Sequence, residues 1–225
     1  MTTARDIDMS IRILLADDHK LIRDGLRALI AGEQDMSVVA EAGNGREAVE
    51  LARVHTPDIV VMDINMPDLN GIDATKLILK NNPDIKVIAL SVHSTRRFVK
   101  EMLKAGVSGY LVKHCAYEEL ATAIRIVIKD KPYLSSQIIG TVMEDYATDF
   151  KSDKSSVFSL LSSREREILQ LVAEGLTSED IGSRLFISGK TVSSHRRHIM
   201  KKLNLNSVAE LTRYAISEGL VSSEY

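Results

Sequence analysis

Short apolar runs rich in β-branched residues alternate, over residues 11–130, with longer stretches whose apolar positions recur every three or four residues. The runs Ile11–Ala16, Val38–Ala40, Ile59–Met62, Val87–Leu90 and Gly109–Val112 are predicted strands. Between them the period predicts helices. The first spans Lys20–Ile30, with Leu21, Ile22, Leu26 and Leu29 inward. The second opens at Gly43-Asn44-Gly45 and carries Ala48, Val49, Leu51 and Ala52. A third covers Ile72–Leu79 and ends before Asn82-Pro83, since proline cannot continue it. Arg96–Lys104 stops at Gly106, and Tyr117–Ile128 closes the series. Five buried strands alternating with five helices predict an α/β unit with a five-stranded, doubly wound parallel sheet of the flavodoxin-like kind.

The pattern then changes. Residues 131–158 form a linker region, with a short helix expected over Ile138–Tyr146 and a polar tether over Thr148–Ser156. From Ser159 the periodicity is helical throughout. Ser162-Ser163-Arg164-Glu165 and Ser207-Val208-Ala209-Glu210 each have the form of a capping box. Thr177 opens a short helix with Ile181 and Leu185 inward, and Phe186–Gly189 makes a tight turn. Lys190–Leu203 follows as a longer helix with Val192, Ile199 and Leu203 as its buried stripe. Two helices joined by a tight turn define a helix-turn-helix within an all-α unit, residues 159–225.

Length and composition narrow the class. A chain of 225 residues accommodates two modest domains, and 44% apolar with 27% charged residues and no long apolar run fits a water-exposed, packed protein. Residues 1–10 lack the basic start and apolar stretch of a signal peptide and read as a short tail. Cys115 is the single cysteine, which excludes an intrachain disulfide and a zinc-finger spacing. A cytoplasmic protein is expected.

The formal net charge of -2 hides a local asymmetry. Between Arg184 and Lys202 stand Arg184, Lys190, Arg196, Arg197, Lys201 and Lys202 with no acid. The preceding helices carry Glu165, Glu167, Glu174, Glu179 and Asp180. Lys190, Ser194, Arg197 and Lys201 follow a 4-3-4 spacing and make one polar, basic helical face, suited to nucleic acid.

Candidate chemistry gathers at the strand ends. In an alternating parallel sheet the carboxyl ends of the strands share one rim. There the first strand delivers Asp17 and Asp18, the third Asp63, the fourth Ser91 and the fifth Lys113. Packed acids repel unless a hard cation joins them, and carboxylate oxygens with open water positions suit Mg²⁺. The set fits handling of a phosphoryl group: a carboxylate as nucleophile, a divalent cation on the transferring oxygens, lysine and serine on the others. No G-x-x-x-x-G-K-[ST] loop is present to bind a nucleotide directly.

Asp17-Asp18, Asp63-Ile64-Asn65-Met66-Pro67 with Gly71, Ser91 and Lys113, in that order on those strands, resemble the receiver domain of bacterial two-component response regulators. The resemblance implies that Asp63 accepts the phosphoryl group. It implies that Asp17, Asp18, Asp63 and the backbone carbonyl of Asn65 hold Mg²⁺. Ser91 would move toward the phosphoryl group and Tyr110 swing inward behind it; otherwise Tyr110 is a plain sheet-edge aromatic. Asn65 and His93 occupy positions that tune phosphoryl lifetime, and His19 beside the acid pair reads as solvent-exposed. His114 stands where many receivers have proline.

Leu161–Glu167, Leu171–Gly175 and Ile187–His195 resemble the LuxR-type helix-turn-helix, so that the whole chain resembles the NarL/FixJ response regulators. The resemblance implies base reading by Ser193, Ser194 and Arg197. It implies DNA-backbone contacts by Lys190, Thr191, His195, Lys201 and Lys202. Dimer contacts would come from the last helix near Val208, Leu211 and Ala215. The implied partners are a sensor histidine kinase, double-stranded DNA and a second copy of the chain, with no membrane, and the chain is no enzyme. Two other readings stay open. A haloacid-dehalogenase-type phosphohydrolase would place a second Asp two positions after its nucleophile, where this chain has Asn65. A receiver that no longer uses phosphate would bind DNA under the control of partner contacts.

Overall fold

The computed structural model describes residues 10–92, 96–147 and 157–221. The expected tail (Ser10 apart), His93 and the whole of the polar tether lie outside the described residues. The chain divides into two compact units.

The first unit alternates strand and helix in the expected order: β1 (Ile11–Ala16), α1 (Lys20–Ala31), β2 (Met36–Ala42), α2 (Gly45–His55), β3 (Ile59–Asp63), α3 (Gly71–Asn81), β4 (Lys86–Ser91), α4 (Arg96–Ala105), β5 (Gly109–Val112) and α5 (Ala116–Val127). All strand pairs are parallel, in the order β2-β1-β3-β4-β5. β3 is buried along its whole length, which explains its uninterrupted apolar run: both faces of a central parallel strand are covered. Strand residues of one parity, Ile13, Leu15, Ile59, Val61, Ile88, Leu90 and Leu111, pack with Leu26 and Ile30 of α1 and Leu120, Ile124 and Val127 of α5. The other parity, Leu14, Val60, Met62, Ala89 and Tyr110, is equally buried and points to the opposite face.

Two details differ from expectation. A sixth strand, β6 (Tyr133–Leu134), adds in parallel to β5 by pairing Tyr133 with Gly109 and Leu134 with Tyr110. It lies in the stretch read as linker and is followed by α6 (Ser136–Ala147). Leu21, expected inward, is 85% exposed. The buried stripe of α1 runs through Ile22, Leu26, Leu29 and Ile30, and Leu21 falls beside it on the helical wheel.

The second unit is helical in all its described elements: α7 (Val157–Leu160), α8 (Ser163–Ala173), α9 (Ser178–Leu185), α10 (Gly189–Leu203) and α11 (Val208–Ser217). Its core is Ile168, Leu169, Leu171, Ile181, Leu185, Val192, Ile199, Leu211 and Ala215. The Ser162 capping box is complete, and Thr177 with Asp180 makes another. At α11 only half of the expected box forms. Ser207 caps the Glu210 amide, while the Glu210 carboxylate takes the Asn206 N–H at 2.8 Å. The turn between α9 and α10 is tight because position 182 is glycine: a Cβ there would stand 2.7 Å from the Ile187 carbonyl oxygen.

Candidate functional sites: an acidic rim and a basic helix

The strand order reverses between β1 and β3, the place where an open α/β sheet leaves a crevice outside its strand ends. Asp17 follows β1 and Asp63 ends β3, so both stand at that crevice, with only 1% and 3% of their surface exposed. Asp63 Oδ1 accepts the Ile64 N–H at 2.7 Å, and its Oδ2 accepts from Lys113 Nζ at 2.8 Å. Lys113 opens a single 3₁₀ turn, Lys113–Cys115, directly after β5, and its Nζ lies 2.7 Å from Asp17 Oδ2. The loop after β3 returns closely, with the Gly71 N–H on the Ile64 carbonyl at 2.8 Å. A Cβ at position 71 would run into the Asp63 carbonyl oxygen, so only glycine fits.

The electrostatics follow from burial. Asp63 is pushed up to about 7, chiefly because burial penalises the anion; the Lys113 charge opposes this, and Asp17 and Asp18 add to it. Burial works against the Lys113 ammonium, but the charges of Asp63 and Asp17 outweigh it and raise it above its ordinary value. Lys113 pairs with two buried carboxylates and Asp18 adds a third, more exposed one nearby, so the site carries an excess of acidic groups.

Whether these residues suit a divalent cation can be judged from the donors. Asp17, Asp18, His19 and Asp63 each offer an atom, all within 4.8 Å of one another. Asp17 Oδ2 and Asp18 Oδ1 are buried oxygens without a well-aligned hydrogen bond. Carboxylate oxygens in negative excess are the donor set that Mg²⁺ prefers. The residues fit the ion. His19 is exposed, as expected, yet not idle: its Nδ1 lies 2.8 Å from Asp18 Oδ1 and 3.2 Å from Asp17 Oδ1.

Ser91 ends β4 and is buried. The Tyr110 phenol, fully buried, hydrogen-bonds with Ser91. Burial pushes that phenol up to about 12, with the Ser91 bond opposing and the Asp63 charge adding. The sheet-edge alternative for Tyr110 fails, since β6 covers that flank of β5. The structure therefore brings Asp17, Asp18, Asp63, Ser91, Tyr110 and Lys113 to one rim.

On α10, Val192 and Ile199 are buried, and Lys190, Ser194, Arg197 and Lys201 are all exposed, as their spacing requires. Others of the expected DNA set also serve the fold. Thr191 shares a hydrogen bond with the N-cap Ser188 at 2.8 Å, and the half-buried Ser193 hydroxyl reaches Ser178 of α9 at 3.3 Å. Lys202 Nζ pairs with Glu165 Oε2 at 2.8 Å, and His195 is half-buried. Burial would raise the Glu165 carboxyl, but its bonds to Lys202 and Ser162 prevail and lower it. On α11, Leu211 and Ala215 belong to the core, whereas Val208 and Ile216 are exposed.

Comparison with known proteins matches each unit to a family. Residues 13–125 match the family described as response regulator receiver domain. Residues 159–215 match the bacterial regulatory proteins of the luxR family. Over 216 residues the chain is 37% identical to the oxygen regulatory protein NreC of Staphylococcus epidermidis, covering 94% of this chain and 99% of that one. Over 214 residues it is 36% identical to the response regulator UvrY of Escherichia coli, covering 95% and 97%. Among solved structures it resembles the response regulator ChrA of a heme-sensing two-component system, with 31% identity, a TM-score of 0.53, and 95% and 100% of the two chains covered.

Proposed function

The chain belongs to the NarL/FixJ two-component response regulators, transcription regulators that join a receiver to a LuxR-type DNA-binding domain, and from that premise we propose that Asp63 is its phosphoryl acceptor. The supporting observation is the buried cluster of Asp63 with Lys113 and Asp17, beside the more exposed Asp18, at the sheet's switch point. The donor is the phosphohistidine of a sensor histidine kinase. An Asp63 carboxylate oxygen attacks phosphorus, a P–O bond forms, and the P–N bond to the imidazole breaks.

Asp17, Asp18 and Asp63, with the Asn65 carbonyl that the family adds, would hold Mg²⁺. When bound, the ion neutralises the clustered carboxylates and the transferring oxygens. Lys113 already lies 2.8 Å from Asp63 and remains as a cation for the phosphoryl oxygens. Ser91 supplies a hydroxyl to the product, and Tyr110, already hydrogen-bonded with Ser91, follows its displacement. The consequence is control of sequence-specific binding to double-stranded DNA, as a homodimer, in the cytoplasm. Lys190, Ser194, Arg197 and Lys201 are the DNA face. Thr191, Ser193, His195 and Lys202 contribute through the fold as well as through contact. Among the described residues no helix is long and apolar enough to cross a membrane.

The test is intact mass after incubation with acetyl phosphate and Mg²⁺. Wild type gains one phosphoryl group and Asp63→Asn none. Equal gain by the variant would move the acceptor elsewhere.

A further inference from the structure

The two acids after β1 sit on a short loop, and what holds that loop bears on how they meet a cation. The Asp17 N–H donates to the Ala42 carbonyl at 3.1 Å, and the His19 N–H donates to Asp17 Oδ1 at 2.8 Å. The remaining anchor comes from α1. Side chains in a helix lean toward its N-terminus, so Arg23, in the first turn, reaches back over the loop. Its Nη1 donates to the Asp17 carbonyl oxygen at 2.5 Å. Its Nε lies 3.6 Å from Glu41 Oε2 near the end of β2, an ion pair without a hydrogen bond, and Arg27 Nε stands 3.5 Å from the other oxygen of Glu41. The Arg23 side chain is only 17% exposed. The planar guanidinium is thus hydrogen-bonded to the loop and held at longer range by the charge of Glu41 on a different element, a geometry that a flexible ammonium does not reproduce.

We propose that Arg23 is a positioning residue for the cation site: it holds the Asp17 carbonyl, with the Glu41 charge steadying the guanidinium, and so sets the direction in which Asp17 and Asp18 present their oxygens. The inference rests on the reading of those acids as Mg²⁺ ligands and deepens it. Partners of metal ligands that orient them change affinity by roughly 10-fold or more when removed. Arg23 bonds the backbone carbonyl of Asp17 rather than a carboxylate of the rim, so its loss acts on cation affinity while the reacting groups stay in place.

The test is calorimetric titration of Mg²⁺ into the full-length, chelator-treated protein for wild type, Arg23→Ala, Arg23→Lys and Glu41→Gln, each checked for cooperative melting in EDTA. Arg23→Ala raises the dissociation constant by about 10-fold. Arg23→Lys and Glu41→Gln, which each keep part of that arrangement, raise it less, by roughly 2–4-fold. Phosphorylation by acetyl phosphate then requires more Mg²⁺ for half-maximal rate but reaches the wild-type rate at saturation. A dissociation constant for Arg23→Ala within 2-fold of wild type, about the scatter of such effects, overturns the proposal. If Arg23→Ala does not melt cooperatively, unchanged affinity in both Arg23→Lys and Glu41→Gln overturns it instead. Absence of Mg²⁺ binding by wild type would overturn the metal reading itself, and the proposal with it.

Discussion

Asp63→Asn should stabilise the metal-free protein at neutral and alkaline pH. The wild-type carboxyl moves from an ordinary 3.8 to about 7 on folding, mainly through burial. At 1.36 kcal/mol per pH unit, ionising it in the folded state costs roughly 4 kcal/mol at most. Relaxation and water entry reduce such penalties, which leaves about 1–3 kcal/mol for the variant to recover. For a domain of this size that is roughly 3–10 °C in Tm. Lys113 is not stranded by the change, because Asp17 remains 2.7 Å away.

The pH window follows from the direction of the shift. A group raised on folding contributes its stability below its unfolded value and loses it as pH rises through its folded value. Wild type in EDTA therefore weakens between about pH 4 and about pH 7, and Asp63→Asn lacks that component. The gap between the two should be about 2–3 times larger at pH 8 than at pH 5. Mg²⁺ should close it by stabilising wild type, by about 2.7 kcal/mol at 100-fold over its dissociation constant. The assay is denaturant unfolding in EDTA across that range, repeated with Mg²⁺. A variant no more stable than wild type at pH 8, or a gap independent of pH, would refute the reasoning.

Three further outcomes test other parts of the structure. Gly71→Ala drives a Cβ into the Asp63 carbonyl and should cost about 2–4 kcal/mol in denaturant unfolding, with weakened Mg²⁺ response; a neutral change would mean the loop has room. Arg197→Ala should weaken specific DNA binding by about 1–3 kcal/mol and relax site preference, while Lys202→Ala, freed from Glu165, should show up to ~1 kcal/mol of lost stability at pH 7; titrations on matched and mismatched DNA and unfolding curves separate the two. Phe186 holds a left-handed backbone, φ 56°, with its side chain 95% exposed. Phe186→Asn should therefore raise stability by about 0.5–1 kcal/mol, measured by thermal unfolding.

The first unit was readable because burial and topology write themselves into residue type. A central parallel strand must be apolar on both faces, so Ile59–Met62 announces itself, and the residue that ends it must lie at the rim. Asp17, Asp63, Ser91 and Lys113 could be gathered that way without coordinates. β6 was not readable: two residues after Pro132 are too few to show a period, and they join the sheet only because β5 offers an open edge. Leu21 shows the limit of helical periodicity, since a leucine one step from the buried stripe is solvent-facing here. Arg23 carried no signal, because its importance lies in a carbonyl and a glutamate that are distant or inconspicuous in sequence. On α10 the spacing identified the exposed basic face, but only coordinates show Ser193 and Lys202 engaged with α9 and α8.

The central claim is that a phosphoryl group on Asp63 controls DNA binding, and its most direct test is the affinity of the full-length chain for a selected DNA site before and after acetyl phosphate with Mg²⁺. Wild type should bind about 5–150-fold more tightly once one phosphoryl group is added, the usual range of such coupling, and Asp63→Asn should stay at the untreated value. Equal affinity of fully labelled and unlabelled wild type would contradict the account, and would favour a receiver that governs DNA binding without phosphate.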